Sequence, residues 1–185
     1  MLRIVAVTGM PGAGKSTASE GLVAKGWKKV VMGDVIRAET RRRGLEPDSK
    51  NTGEVMRQLR NEKGESAVAD LCMKAILETG SENVVVDGIR SMAEVATFRE
   101  KATVILVAVH ASQGRRFALL KERGRRDDPI TREMFLKRDE RELRVGIGNA
   151  IALADEIISN EHTSPTALSK QMVEIVGRWF KTVDG

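Results

Sequence analysis

The chain predicts an α/β fold, a three-layer α/β/α domain built on a five-stranded, mainly parallel sheet. Three observations lead there. Short runs rich in Val and Ile alternate with longer stretches of helical periodicity. The runs at 84–86 and 104–109 carry no polar alternation, as strands covered on both faces require. At 185 residues, 41% of them hydrophobic, the chain is long enough for one well-cored domain and short for two.

The elements follow in order. A first strand at 3–8 runs into a glycine-rich turn, and a helix is compatible with 16–25. A second strand at 29–32 is followed by three helical patterns with no strand between them: 34–43, ended by Gly44, then 51–63, then 65–78. These read as a helical insert spanning 34–80. Strands at 83–87 and 103–110 are expected to be central. A helix at 113–123 leads into a charged connection containing Arg125-Arg126-Asp127-Asp128, and the segment at about 123–131 has the character of a short lid between helices. A further helix begins near Thr131, a fifth strand lies at 155–159, and a closing helix at 164–181 places Leu168, Met172, Ile175, Val176, Trp179 and Phe180 at packing positions. No repeat, low-complexity tract or Pro/Ser-rich linker divides the chain, so residues 1–185 are expected to form a single domain.

The turn after the first strand reads Gly9-Met10-Pro11-Gly12-Ala13-Gly14-Lys15-Ser16-Thr17. It matches G-x-x-x-x-G-K-[ST], in which glycines let backbone N–H groups converge on a phosphate and the lysine reaches the β/γ-phosphates. Residues 9–17 are therefore the candidate cradle for ATP, with Lys15 in a catalytic role and the Ser16 hydroxyl a ligand for Mg²⁺. Asp87, at the end of the 84–86 run, has the character of the metal-side carboxylate, acting on Mg²⁺ directly or through water. Arg90 follows closely, and its fork of donors suits an acceptor phosphate. Cys72 lies in an apolar helical pattern and reads as core. His110 and His162 have no partner at metal spacing, and no sequence supports hydrolase or zinc chemistry. Direct phosphoryl transfer without a covalent enzyme intermediate is the expected chemistry.

Two further segments resemble known families. Met32-Gly33-Asp34-Val35-Ile36-Arg37 resembles the G-D-x-h-R element of adenylate kinases, and Val86-Asp87-Gly88-Ile89-Arg90 resembles their D-G-x-x-R element, shortened by one residue. The stretch at 152–161 instead resembles the A-D-x-V-I-x-N segment of dephospho-CoA kinases. The chain thus resembles the nucleoside-monophosphate-kinase-like P-loop group, nearest to an archaeal set of adenylate-kinase-related proteins. The resemblance implies a P-loop NTPase fold in which the insert binds the acceptor. It implies that Arg37 and Arg90 grip the acceptor phosphate, that Asp34 lies near the acceptor and magnesium, and that Asp87 holds metal-bound water.

Lid arginines matter because phosphoryl transfer is mostly positioning and charge neutralisation. The candidates are Arg123, Arg125 and Arg126 before the lid and Arg138, Arg141 and Arg144 after it, with Arg123 and Arg138 preferred. The second trio shares a broad helix face, although 133/137, 138/142 and 140/144 are also i,i+4 ion pairs of a solvated helix. The Arg41–Arg43 run reads as a solvated helix end. A net charge of +5 and an isoelectric point near 9.6 suit an anionic partner. Few aromatics argue mildly against a single-stranded RNA platform. No run of 18 apolar residues and no basic-then-apolar leader is present, so the expectation is a cytoplasmic protein without membrane association. The expected activity is transfer of the γ-phosphoryl group of ATP, with Mg²⁺, to a small nucleotide-like acceptor, a nucleoside monophosphate first and dephospho-CoA next. The alternative is an ATP-driven switch that binds RNA or a protein. Base preference and oligomeric state are not encoded in any motif.

Overall fold

The computed structural model describes residues 1–124 and 131–184. Its elements are β1 (Arg3–Thr8), α1 (Lys15–Ala24), β2 (Lys28–Val31), α2 (Met32–Arg42), α3 (Ser49–Lys63), α4 (Ala67–Glu78), β3 (Asn83–Ile89), α5 (Met92–Arg99), β4 (Thr103–His110), α6 (Gln113–Arg123), α7 (Arg132–Val145), α8 (Ile147–Ala152), β5 (Glu156–Ser159) and α9 (Pro165–Asp184). The strands form one sheet in the order β2-β3-β1-β4-β5. Each paired strand runs parallel to its neighbour.

Strand alternation divides the interior in two. Ile4, Ala6, Val84, Val86 and Leu106 face a core completed by α2, α3, α4 and α5. Val5, Val7, Val85, Ile105 and Val107 face the opposite core, closed by α1 and α9 through Leu22, Leu168, Met172 and Phe180. Both faces of β1, β3 and β4 are therefore apolar, which is why their sequences read as unbroken runs. β1 lies between β3 and β4, so its C-terminal end opens where the strand order reverses, the place at which such sheets bind ligands.

Several boundaries differ from expectation. The second strand ends at Val31, and Met32 and Gly33 open α2, so the Gly33-Asp34 pair lies in the first helical turn. β3 continues past Asp87 to Ile89. Its register with β1 shifts so that Val7 faces Asp87 while Thr8 faces Ile89, which leaves Gly88 as the extra residue of a bulge at φ +106°. The strand persists because the Thr8 hydroxyl donates to the Ile89 carbonyl at 2.9 Å. Helix α8 was not expected; Gly146, at φ +106°, ends α7 and starts it. Cys72 is buried, and burial pushes its thiol up to about 12.

The insert is tied together by charge. Glu39, buried on α2, accepts from Arg42 Nε at 2.6 Å and Arg43 Nε at 2.9 Å, and Arg43 Nη1 also donates to Gln58 of α3 at 3.0 Å. Arg43 thus folds back onto the insert, whereas Arg41 and Arg42 are exposed as a solvated helix end, Arg42 while pairing with Glu39. The Arg42 hydrogen bond, helped by Arg43, holds the Glu39 carboxyl down to about 2.

Glu39→Gln is expected to destabilise the protein at neutral pH by about 1–3 kcal/mol. Because the folded-state value lies below the ordinary carboxylate range, this contribution is full above about pH 4.5 and fades as pH falls toward 2. Urea melts of both proteins from pH 7 to 2.5 check it, and a gap that does not narrow contradicts the assignment.

Candidate functional site

Residues 9–14 form the turn between β1 and α1. At Gly9 the chain passes so close to a neighbour that a Cβ would sit 2.2 Å from the Val109 carbonyl oxygen, with φ at +142°. Four carbonyls of this loop are held by side chains. Gly9 accepts from Lys15 Nζ at 2.7 Å. Pro11 accepts from Arg116 Nη1 at 3.1 Å, and Ala13 from Asn160 Nδ2 at 2.9 Å. In a trans peptide the N–H points opposite to its carbonyl, so the last two contacts turn the Gly12 and Gly14 N–H groups the other way. Helix α1 starts on Gly14 with no side-chain cap and no acidic residue in its first turn. Its N-terminal donors and dipole suit an anion.

Lys15 opens α1 and folds back over the loop, also reaching the Met10 carbonyl at 3.3 Å. Burial pushes its ammonium down to about 8, partly countered by the charge of Asp87. The Ser16 hydroxyl donates to Asp87 Oδ2 at 3.0 Å. The same oxygen faces Lys29 Nζ of β2 at 3.2 Å. Ser16 and Asp87 are thus together, as expected, while Lys29 is an additional member with no motif to announce it. With its proton on Asp87, the Ser16 oxygen keeps lone pairs for a cation, so these two groups fit a hard metal ion such as Mg²⁺. Asp34 does not join them: it is exposed on α2, where it pairs with Arg37. Among the described residues no cluster of three or more His, Cys, Asp or Glu is arranged to hold a metal.

Two cavities meet here. The first, of about 760 Å³, is floored by Gly9, Pro11, Gly12, Gly14, Lys15, Ser16 and Thr17 and walled by Arg115, Leu119, Arg123, Asn160 and Pro165. Met10 and Ala13 do not line it, Ala13 being fully buried. The second, of about 810 Å³, lies beside the insert and is lined by Ile36, Arg37, Glu46, Asp48, Met56 and Arg141, among others. Arg90, Arg138 and Glu142 line both. Arg90 Nε lies 3.4 Å from Glu142 Oε2, and that carboxylate is buried.

Of the arginines read from sequence, Arg37, Arg90, Arg138 and Arg141 line the second cavity and Arg90, Arg123 and Arg138 the first, whereas Arg144 is exposed, pairs with Glu140 at 3.8 Å and lines neither. The face shared by 138, 141 and 144 therefore reaches the site only through its first two members. Arg125 and Arg126, and most of the expected lid, lie outside the described residues. His110 ends β4 exposed.

Arg116 and Asp139 were not singled out from sequence. They form a buried bidentate pair at 2.8 and 2.6 Å, with the guanidinium 5.0 Å from the Phe135 ring centroid. The pair joins α6 to α7 beneath the loop. A signal existed: Phe135, Asp139 and Glu142 recur at i, i+4 and i+7, which puts two carboxylates on the buried stripe of an otherwise charged helix.

Comparison with known proteins agrees with this layout. A family model described as an AAA domain matches residues 8–134. A UPF0200 protein of Thermococcus kodakarensis is 48% identical over 162 residues, covering 85% of this chain and 88% of its own. The chain belongs to the UPF0200 family. Another UPF0200 protein, from Methanosarcina acetivorans, is 42% identical and spans 98% of both chains. Among solved structures, TT1252 from Thermus thermophilus superposes with a TM-score of 0.61 at 17% identity, covering 95% of this chain and 96% of that one. Shikimate kinase from Bacteroides thetaiotaomicron gives 0.58 at 14% identity, covering 95% and 98%. This UPF0200 protein therefore has the P-loop kinase-like fold. Among its described residues no helix is long and apolar enough to cross a membrane.

A phosphate bound beside Lys15 favours its charged form, so binding takes up a proton wherever the free lysine is partly neutral. Affinity for a nucleoside triphosphate is expected to fall by up to about tenfold per pH unit above pH 8. Titration calorimetry from pH 7 to 9.5, in buffers of different ionisation enthalpy, checks both the slope and the proton uptake. Affinity flat across that range overturns the assignment.

Proposed function

We propose that this protein transfers the γ-phosphoryl group of Mg·ATP to a small anionic acceptor, with a nucleoside monophosphate as the preferred class. The observation that carries the reading is the meeting of two cavities at Arg90, Arg138 and Glu142, one floored by the phosphate loop and the other by the helical insert. Phosphoryl transfer needs donor and acceptor in line with cations at their junction, and a wall shared by two cavities supplies that arrangement.

In this reading the backbone of residues 9–14 and Lys15 hold the β- and γ-phosphates, with Thr17 lining the same cavity. Ser16 and Asp87 would hold Mg²⁺, which would supply charge neutralisation for the phosphates. Asp34, exposed and paired with Arg37, is the weaker metal-side candidate. Arg37 and Arg90 grip the acceptor, and Arg123 and Arg138 approach the transferring group from the donor cavity. The bond between the γ-phosphorus and the β–γ bridging oxygen breaks, and a new one forms to an acceptor phosphate oxygen. ADP leaves with the bridging oxygen, and a phosphate acceptor already ionised needs no base.

A second reading rests on Glu142. A buried carboxylate at the junction can accept a proton from a hydroxyl acceptor, which would favour an acceptor of the dephospho-CoA class over a monophosphate.

The test incubates purified protein and Mg·ATP with each nucleoside monophosphate, with dephospho-CoA and with structured RNA, and identifies products by mass. A phosphorylated monophosphate formed in step with ADP is expected. Lys15→Ala should lower turnover by about 10²–10³-fold or more. Arg90→Ala should lower acceptor kcat/KM by about 10²-fold while ATP affinity stays within about threefold. Phosphate release without a phosphorylated acceptor, faster with RNA, would instead indicate a nucleotide-driven switch.

A further inference from the structure

We infer that the second cavity selects nucleoside monophosphates whose base carries an exocyclic amino group, and that Glu46 and Asp48 read that group. This inference rests on the acceptor reading above and concerns the end of the cavity remote from the transfer point.

The cavity is lined by charges of both signs, carried on different elements. Arg37, Arg90, Arg138 and Arg141 line it together with Glu142. Glu46 and Asp48, in the connection between α2 and α3, line it as well. Neither carboxylate is paired with a cation among the described residues. Asp48 accepts from the Asn51 backbone N–H at 2.7 Å through Oδ1 as the N-cap of α3, which fixes its direction and leaves its second oxygen to other donors. An anionic acceptor is drawn to the guanidinium groups and repelled by the two carboxylates, so it enters with its charge toward Arg90 and a donor-bearing group toward Glu46 and Asp48.

The lining also has apolar members. Ile36 and Met56 contribute side chains, and at Gly53 a Cβ would meet nothing within 4 Å. Helix α3 therefore presents a flat backbone patch beside a thioether, a surface suited to the face of a planar heterocycle. A polyol of the size of a simple sugar would leave a space of about 810 Å³ largely to water. A carboxylate accepts from the amino groups of adenine, cytosine or guanine. In uracil the single N–H lies between two carbonyls, whose oxygens a carboxylate repels. The discrimination falls on amino-bearing against amino-lacking bases.

The experiment compares kcat/KM for AMP, CMP and GMP against UMP, with Mg·ATP saturating, for the native protein and for Glu46→Gln and Asp48→Asn. Asparagine preserves the helix cap, so Asp48→Asn isolates the charge. At least one amino-bearing monophosphate is expected to exceed UMP by about tenfold or more. In one or both variants that ratio should fall by about tenfold. UMP used as well as the others, or a preference that both variants retain, overturns the inference and leaves phosphoryl transfer standing. Failure of every monophosphate to be phosphorylated overturns the function proposed above, and this inference with it.

Discussion

The outward hold on the phosphate loop's carbonyls is the constraint on which the rest depends. A loop that binds phosphate through its amides must turn its carbonyls elsewhere and satisfy them there, because a buried carbonyl without a donor costs about 1–3 kcal/mol. Here the donors come from three places, two of them distant in the chain: Lys15 at the start of α1, Arg116 on α6 and Asn160 after β5. The loop's shape is therefore a product of the whole sheet. β5 must pair with β4 to bring Asn160 in, and α6 must pack beneath the loop to bring Arg116.

Arg116 is the most demanding of the three. Its guanidinium is buried, and a buried charge is tolerated only with full compensation. Asp139 provides it with two hydrogen bonds, and Pro11 takes a further one. Two helices on either side of residues 125–130 are thereby joined at their base and to the phosphate loop by one side chain. Replacing only one partner would leave a buried charge unmatched, a loss of about 3–5 kcal/mol for pairs of this kind. The geometry of the donor cavity and the packing of α7 thus rest on the same group.

The fold was legible because its signals are local. Val- and Ile-rich runs mark strands buried on both faces, and G-x-x-x-x-G-K-S marks the turn that follows the central one. Ser16 was legible as part of that motif, and Asp87 and Arg90 because they closely follow the 84–86 run. What stayed hidden depends on pairing across the chain. Lys29 reaches Asp87 only because β2 lies beside β3, and nothing in its own neighbourhood distinguishes it from Lys28. Asp139 and Glu142 sit in a run rich in charge, and the burial of Glu142 was masked by its apparent i,i+4 partner Arg138. Arg144, at the same spacing as Arg138 and Arg141, turns away because each three-residue step rotates a helical position by about 60° from the one before.

The wall common to the two cavities has a thermodynamic side. Arg90, Arg138 and Glu142 belong to both, so whatever fills one cavity alters the field and the side-chain positions met in the other. Occupancy of the two is then linked, and linkage is reciprocal: the factor by which the first ligand changes the second one's affinity is the factor by which the second changes the first's. A single molecule joining both halves would be held at both ends, its second contact made at high effective concentration. The partition built from two arginines and a glutamate makes the pair of cavities one bipartite receptor.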